Sequence, residues 1–486
     1  MSETKKGSTS ALITLISVFF FWGFVAASNG ILIPVYKEKL NLEQWQVQLI
    51  DVAFYVAYTV GSLIYVLFSS SRKGDLLNRM GYRNGIALGL LISAAGALLF
   101  YPAAETESFG IMITGLFIIA LGFSLQQTAA NPLAITMGDP KKGSQRLSLA
   151  GGINNIGTTI GPVIVSLAIF GSVKEGQALD SLSQVKIPYL ILAAAFILFA
   201  LIFIFSSIPN KIENTSDEKI PIADTLDSPD EEPKSIFGFQ QLWMGMIAIF
   251  LYVGVEVSTA SNLPEFMRQH ADIKGENIAP YVSLFWASLM IGRWTGAVGV
   301  FNVGMGIKQI LRFILPYLAF GVFLFVNALA NHDIHSFYIY AAIIALIIVA
   351  DMASKGNPSR QLVIFSACGI IALLIGIFAT GMVSVFAFIS VGLFCSTLWP
   401  CIFTLAIAGL GKRTNQGSGF LIMMIMGGGL VSLLQGYLSK DNLLGIQYSY
   451  VVGIACFIYL AYYGWKVKGI LRSQGIDYDS SRTTDL

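Results

Sequence analysis

Apolar residues fall along this chain in blocks of helix length, separated by short polar breaks. A helix needs about 20 mostly apolar residues to cross a bilayer. Blocks of that size cover 11–36, 46–69, 84–103, 109–134, 146–172 and 188–208. A polar stretch follows, and then come 240–262, 279–301, 309–330, 336–352, 361–380, 383–408, 417–438 and 447–467. The pattern therefore predicts an all-α membrane protein with 14 transmembrane helices. The short alternating strands of an outer-membrane barrel are not present in it. Blocks 309–330 and 336–352 are joined by the very short turn Asn331-His332-Asp333. A re-entrant pair is one reading there, but each block is long enough to cross. A signal peptide ending at Ala26-Ala27 is the rival reading of the start. Cleavage there would remove most of the first crossing, so the crossing is preferred.

The polar positions divide the blocks. Residues 209–236 are rich in Ser, Asp and Glu, include Asp230-Glu231-Glu232, and read as a flexible linker. The expected organisation is a six-helix half over 1–208, a cytoplasmic linker over 209–236, and two helices over 237–302 that open a second half. An inserted helix pair follows over 303–357, then the last four helices over 358–467 and a fraying polar tail over 468–486. With the N-terminus inside, most of the 30 Lys and Arg residues fall in inside segments. Lys37, Lys39, Lys174, Lys186, Arg268, Lys274 and Lys440 fall outside, and Arg293 lies within a helix. Basic residues favour the cytoplasmic side, so both termini are expected there.

Composition narrows the function. Of the residues, 55% are hydrophobic and only 12% charged, and the mean hydropathy is +0.70. A soluble fold of this size needs more charge to cover its surface. The net charge of +2 calls for no nucleic-acid partner. Cys368, Cys395, Cys401 and Cys456 lie inside apolar blocks, whereas His270, His332 and His335 lie outside the long ones. That arrangement supports neither a metal site nor a disulfide framework. Gly427-Gly428-Gly429 lacks the Lys-Ser/Thr ending of a phosphate loop and reads as close packing or a hinge. No cofactor is implied, and no nucleophile–base pair points to an enzyme. Without a nucleotide-binding domain, the driving force is an ion gradient or the solute's own gradient.

The turn after the second block reads Gly74-Asp75-Leu76-Leu77-Asn78-Arg79-Met80-Gly81-Tyr82-Arg83. It resembles the signature loop of the major facilitator superfamily, with Asn78 where an aspartate is usual. Its glycines permit a tight turn, and Arg79 and Arg83 are placed to bond helix carbonyl ends as a cytoplasmic gate. More specific strings are Phe20-Phe21-Trp22-Gly23, Ala53-Phe54-Tyr55, Leu99-Phe100-Tyr101-Pro102 and Thr128-Ala129-Ala130-Asn131-Pro132. Others are Arg146-Leu147-Ser148-Leu149-Ala150 followed by Asn154, Gly292-Arg293-Trp294-Thr295-Gly296, and Met426-Gly427-Gly428-Gly429. Together they resemble the fucose–galactose–glucose:proton symporter family, most closely its Bacteroidetes-type sugar branch. The resemblance implies a major facilitator fold of two six-helix halves in a bacterial cytoplasmic membrane, here with an inserted pair. It also implies a substrate site between the halves near the midplane and alternating access. The family's helix 1 aspartate maps to Gly30 and its helix 4 glutamate to Gln127, so its usual proton relay is absent. A family glutamine maps to Gly151, while the nearby asparagine is kept as Asn154.

Two acids, Asp51 and Glu256, stand out inside the blocks, where a charge is costly and marks function by default. Asp51 lies roughly 7–8 Å into its helix, and Glu256 lies roughly 24 Å into its own at 1.5 Å per residue. Both are candidates for ion coupling, to H+ or Na+. Glu256 is also a candidate sugar ligand. Arg293 reads as a gate residue, set apart in depth from Glu256. A sugar site needs amides and carboxylates for hydroxyls and an aromatic face for the C–H side. Asn29, Gln126, Gln127, Asn131, Asn154, Asn155, Trp286 and Trp399 are the candidates. Gln126 and Gln127 point about 100° apart, so at most one is central, and the family mapping favours Gln127. Trp399-Pro400 sits where a kink lets an indole turn inward.

The expected function is import of a neutral hexose or deoxyhexose by a monomeric, cation-coupled transporter in the lipid bilayer. An uncoupled facilitator, motivated by Gly30 and Gln127, and a carrier of another solute such as an amino sugar are the alternatives. The sequence leaves two roles open for the inserted pair, covering a lateral surface or meeting a partner.

Overall fold

A computed structural model describes residues 3–40, 44–69, 75–170, 185–208, 210, 235–271, 273, 278–301 and 303–479. The side chains of Asn29 and Asp51, the residue Gly74 and nearly all of the expected linker 209–236 lie outside the described residues. The first helices are α1 (Glu3–Lys39), α2 (Gln44–Ser69), α3 (Leu76–Met80), α4 (Tyr82–Leu98), α5 (Phe100–Glu105), α6 (Phe109–Thr136), α7 (Gly143–Phe170) and α8 (Lys186–Phe205). Then come α9 (Gln240–His270), α10 (Ala279–Ala297), α11 (Met305–Leu329), α12 (Tyr340–Ser354), α13 (Pro358–Phe378), α14 (Gly381–Cys395) and α15 (Leu398–Ile407). The last are α16 (Thr414–Met423), α17 (Gly427–Leu438), α18 (Gly445–Ser449) and α19 (Val451–Ser473). No strand occurs among the described residues.

Twelve helical runs among the described residues are long and apolar enough to cross a membrane. They correspond to twelve of the expected blocks. The other two blocks fold as α7 and α10 but are not among those runs. Both carry polar side chains along their length, Asn154, Asn155, Thr158 and Thr159 on α7, and Ser283, Ser288, Arg293 and Thr295 on α10. Among the described residues, length and apolarity alone mark twelve candidate crossings.

The chain clusters into two compact units. One holds Met1–Met137, Ile153–Lys211 and Val322–Ile334, and the other Gly138–Gly152, Ile212–Gly321 and His335–Leu486. Within the first unit, α8 shows how the pattern works. Tyr189, Ala193, Phe196, Ala200 and Phe203 repeat at helical spacing and are buried. Ile187, Ile191, Leu198, Leu201 and Phe205 on other faces are exposed and equally apolar. Such a surface is stable against lipid and would be a large sticky patch in water. Helix α1 runs unbroken past Ala26-Ala27, and its Trp22 indole donates to Gln126 of α6.

Helices α4 and α6 meet along a glycine seam. Gly89 and Gly96 on α4 face Gly122 and Gly115 on α6, seven residues apart on each side. A Cβ on Gly89 would lie 2.7 Å from the Gly122 carbonyl oxygen, and one on Gly96 would lie 2.6 Å from that of Gly115. Small residues are what let backbones approach this closely when lipid offers no hydrophobic drive between helices. Ser93 completes the seam by donating to the Ile119 carbonyl at 3.0 Å.

In the second unit, Gly427 fits against the Phe250 carbonyl, so this glycine serves close packing. The tail differs from expectation. Instead of fraying from 468, α19 continues to Ser473, and the following residues fold back to Asp479. The Asp479 carboxylate takes Asn357 at 2.8 Å, Lys468 at 2.7 Å, and Arg360 and Arg472 at 2.9 Å. Burial alone would raise its pKa. The Lys468 hydrogen bond and the charges of Lys468, Arg360 and Arg472 outweigh that and hold it below the usual carboxylate range.

Replacing Gly96 by Leu is expected to cost about 1–3 kcal/mol by overpacking the seam. A thermal unfolding midpoint in detergent equal to that of the parent would show that α4 and α6 do not depend on this contact.

Candidate functional site

The expected gate loop folds as a capped turn. The Asp75 carboxylate caps α3 by accepting from the Asn78 amide at 2.9 Å, and also accepts from the Tyr65 hydroxyl at 2.8 Å. Gly81 takes φ +90°, a conformation that disfavours any side chain, and a Cβ there would meet Asn210. The Arg83 guanidinium donates to the Ser206 carbonyl at 3.0 Å, at the C-terminal end of α8. Asn78 and Arg79 are exposed. Of the two arginines expected to bond helix ends, the described hydrogen bonds therefore give that role to Arg83, because Arg79 lies on the outer face of the short α3.

In the first unit the paired glutamines divide as their helical angles require. Gln126 is fully buried, accepts from the Trp22 indole at 2.9 Å and donates to Ser93 at 3.1 Å. It ties α1, α4 and α6 together. Gln127 is half-buried and donates to the Tyr58 hydroxyl at 2.9 Å. Asn154 is also half-buried and donates to the Phe19 carbonyl at 2.9 Å. Asn131 and Asn155 are buried, and both polar atoms of the Asn131 amide lack a hydrogen-bond partner. No described hydrogen bond joins one of these amides to another, and Gln127 and Asn154 keep an exposed part.

The second unit brings together a carboxylate and two aromatic rings. Tyr252 and Glu256 lie one turn apart on α9, and the Tyr252 hydroxyl donates to the Glu256 carboxylate. The Trp399 ring lies 6.2 Å from the Tyr252 ring and 5.8 Å from that of Phe403. Glu256 and Trp399 are half-buried, and Tyr252 is almost fully buried. Trp399 reaches this place because the block 383–408 is two helices. The chain breaks at Ser396-Thr397, between α14 and α15. Proline cannot donate to the carbonyl four residues earlier and its ring clashes with it, so Pro400 releases the Ser396 carbonyl. Arg293 occupies that carbonyl through Nε at 3.0 Å and reaches the Gly151 carbonyl through Nη1 at 3.3 Å. The neighbouring Trp294 indole donates to the Gly152 carbonyl at 3.3 Å.

Arg293 was expected to bond helix ends, and it does. No ion pair between Arg293 and Glu256 is described, although the Arg293 charge acts on that carboxylate at longer range. Trp286 lies beside Phe285, and no described contact joins it to Trp399. The four cysteines are free thiols. No cluster of metal-binding type occurs among the described residues. The chemistry on offer is hydrogen bonding by a carboxylate, hydroxyl and amides beside flat aromatic surface.

The model of the Major Facilitator Superfamily matches residues 12–350. The glucose/galactose transporter of Brucella abortus is 31% identical over 465 residues, covering 95% of each chain. The chain belongs to the Major Facilitator Superfamily. The putative glucose/galactose transporter of Helicobacter pylori is likewise 31% identical over 95% of this chain and 98% of its own. The L-fucose-proton symporter of Escherichia coli is 27% identical over 91% of this chain and 90% of its own. The resemblance to the fucose–galactose–glucose:proton symporters thus spans nearly the whole sequence, and its named relatives are transporters. A crystal structure of the superfamily transporter FucP in an outward conformation superposes with a TM-score of 0.70 at 24% identity. It covers 94% of this chain and 98% of the other, which confirms the superfamily fold.

Sequence reading passed over Tyr252 and Tyr58. The signal for Tyr252 was its i, i+4 spacing from Glu256. Tyr58 had no comparable signal, because only packing turns it toward Gln127. Arg293→Gln is expected to lose the charge-assisted bond to the released Ser396 carbonyl, at about 1.5–3 kcal/mol. The measurement is thermal unfolding of purified protein, and an unchanged midpoint would mean that this carbonyl is satisfied in another way.

Proposed function

We propose that this superfamily member carries a neutral monosaccharide, a hexose or deoxyhexose, across a bacterial cytoplasmic membrane by alternating access. The observation that carries the reading is the Tyr252–Glu256–Trp399 group, a hydrogen-bonding carboxylate beside an aromatic face. A sugar needs that combination, because its hydroxyls want donors and acceptors while its C–H face wants a flat apolar surface. The names of the relatives, glucose/galactose transporter and L-fucose-proton symporter, point to the same substrate class. Gln127, Asn131, Asn154 and Asn29 supply further hydrogen bonds, and Trp286 a second indole. Glu256 senses the coupling ion, H+ or Na+, with Asp51 as a second acid. Arg83 and Arg293, with Gly74, Asn78, Arg79 and Gly81, form the cytoplasmic gate. Fourteen crossings with both termini cytoplasmic place the linker 209–236 and the tail 468–486 inside. The protein works as a monomer.

The second reading is an uncoupled facilitator, favoured by Gly30 and Gln127 at the family's acidic positions. Uptake of a panel of labelled monosaccharides into proteoliposomes, with pH and Na+ gradients imposed separately, tests both. Accumulation above the outside level removes the facilitator reading. Failure to take up any monosaccharide removes the sugar reading.

Glu256→Gln is expected to abolish accumulation while leaving equilibrative exchange; a variant that concentrates sugar like its parent takes the coupling role from Glu256. Gln127→Ala is expected to weaken sugar binding several-fold, since each hydrogen bond lost is worth about 0.5–1.5 kcal/mol. Equilibrium binding with unchanged affinity would place Gln127 outside the site.

A further inference from the structure

The inserted pair, α11 and α12, carries a buried acid that is no part of the site above. Asp351 lies near the end of α12 and is only 5% exposed. Its carboxylate forms an ion pair with Arg312 Nε of α11 at 3.8 Å. It also accepts from Gln361 Nε2 of α13 at 3.2 Å. The other end of the Gln361 amide accepts from the Cys401 thiol of α15 at 3.4 Å. Cys401 follows Pro400 directly, and its amide donates to the Thr397 carbonyl at 3.1 Å across the helix break. A polar line thus runs from the inserted pair, through one glutamine, to the segment that sets Trp399.

A second, apolar line ends at the same place. Ile347 of α12 packs against Gly292, where a Cβ would lie 3.0 Å from its Cδ1 and would also strike Ser396. Gly292 precedes Arg293, whose guanidinium holds the Ser396 carbonyl. Both lines from α12 therefore converge on residues 396–401. A buried carboxylate is expensive to keep in a membrane protein. A pair whose only task was to cover a lateral surface would do so with apolar side chains.

We propose that the inserted pair braces the α14–α15 break and that Asp351 is a positioning residue, acting through Gln361 on the placement of Trp399. The proposal rests on the sugar reading only for its transport readout. Without the brace, the 397–401 segment gains freedom, Cys401 becomes reachable, and Trp399 meets the sugar less often in its productive orientation.

The test uses the full-length protein in proteoliposomes, with two variants. Asp351→Asn removes the charge. Gln361→Leu cuts the relay but leaves the Arg312–Asp351 pair in place, so it decides the matter if the first variant does not fold. Cys401 modification by N-ethylmaleimide, located by peptide mass spectrometry, is expected to speed up at least tenfold in each variant. The KM for labelled D-galactose is expected to rise at least threefold with kcat within twofold. A Cys401 rate within twofold of the parent in Gln361→Leu overturns the brace. Faster labelling with an unchanged KM overturns the positioning role. If the parent takes up no galactose, it is the sugar reading that fails for this probe, and the labelling rates still decide the brace.

Discussion

The Ser396 carbonyl, released by Pro400 and occupied by Arg293, is the contact around which the polar part of the second unit is arranged. An apolar medium offers no water to a freed backbone group, so a break in a membrane helix survives only where protein supplies the missing partner. Arg293 does this with a planar, permanently charged donor set that reaches two carbonyls at once. The break in turn lets α15 leave the line of α14 and carry Trp399 to Tyr252. The same cation lies in the field of Glu256, so one residue links the backbone defect to the acid proposed to sense the ion.

The first unit solves the other half of the problem, which is holding helices together without a hydrophobic drive. It uses close approach at the glycines of α4 and α6 and amide bonds at Gln126, Gln127 and Asn154. The adjacent glutamines show how finely this divides labour. One residue of rotation turns Gln126 into a sealed strut between Trp22 and Ser93 and leaves Gln127 partly open beside Tyr58. A sealed and a partly open polar group are therefore neighbours in sequence, and only the helix angle separates them.

The crossings were largely legible because lipid imposes one strong rule: a spanning segment must be helical and apolar. Among the described residues, twelve blocks meet it on length and apolarity alone. Polar residues on α10, Arg293 among them, dilute that signal. Glu256 was legible as a costly charge deep in a span. Asp351 was not, because an acid near the end of an apolar block reads as a flank, and only packing against Arg312, Gln361 and α15 shows it to be buried.

Sequence by itself determined the membrane class, the helix-length blocks, the family and the deviant residues Gly30 and Gln127, since each depends on local composition or on spacing along the chain. The tertiary structure alone decided that Arg293 shares a field with Glu256, that Tyr252 joins Trp399, that Arg83 and not Arg79 reaches a helix end, and that the tail is pinned at Asp479. These depend on where helices break and how they rotate against one another. Packing of residues far apart in the chain sets both, and no local pattern encodes that.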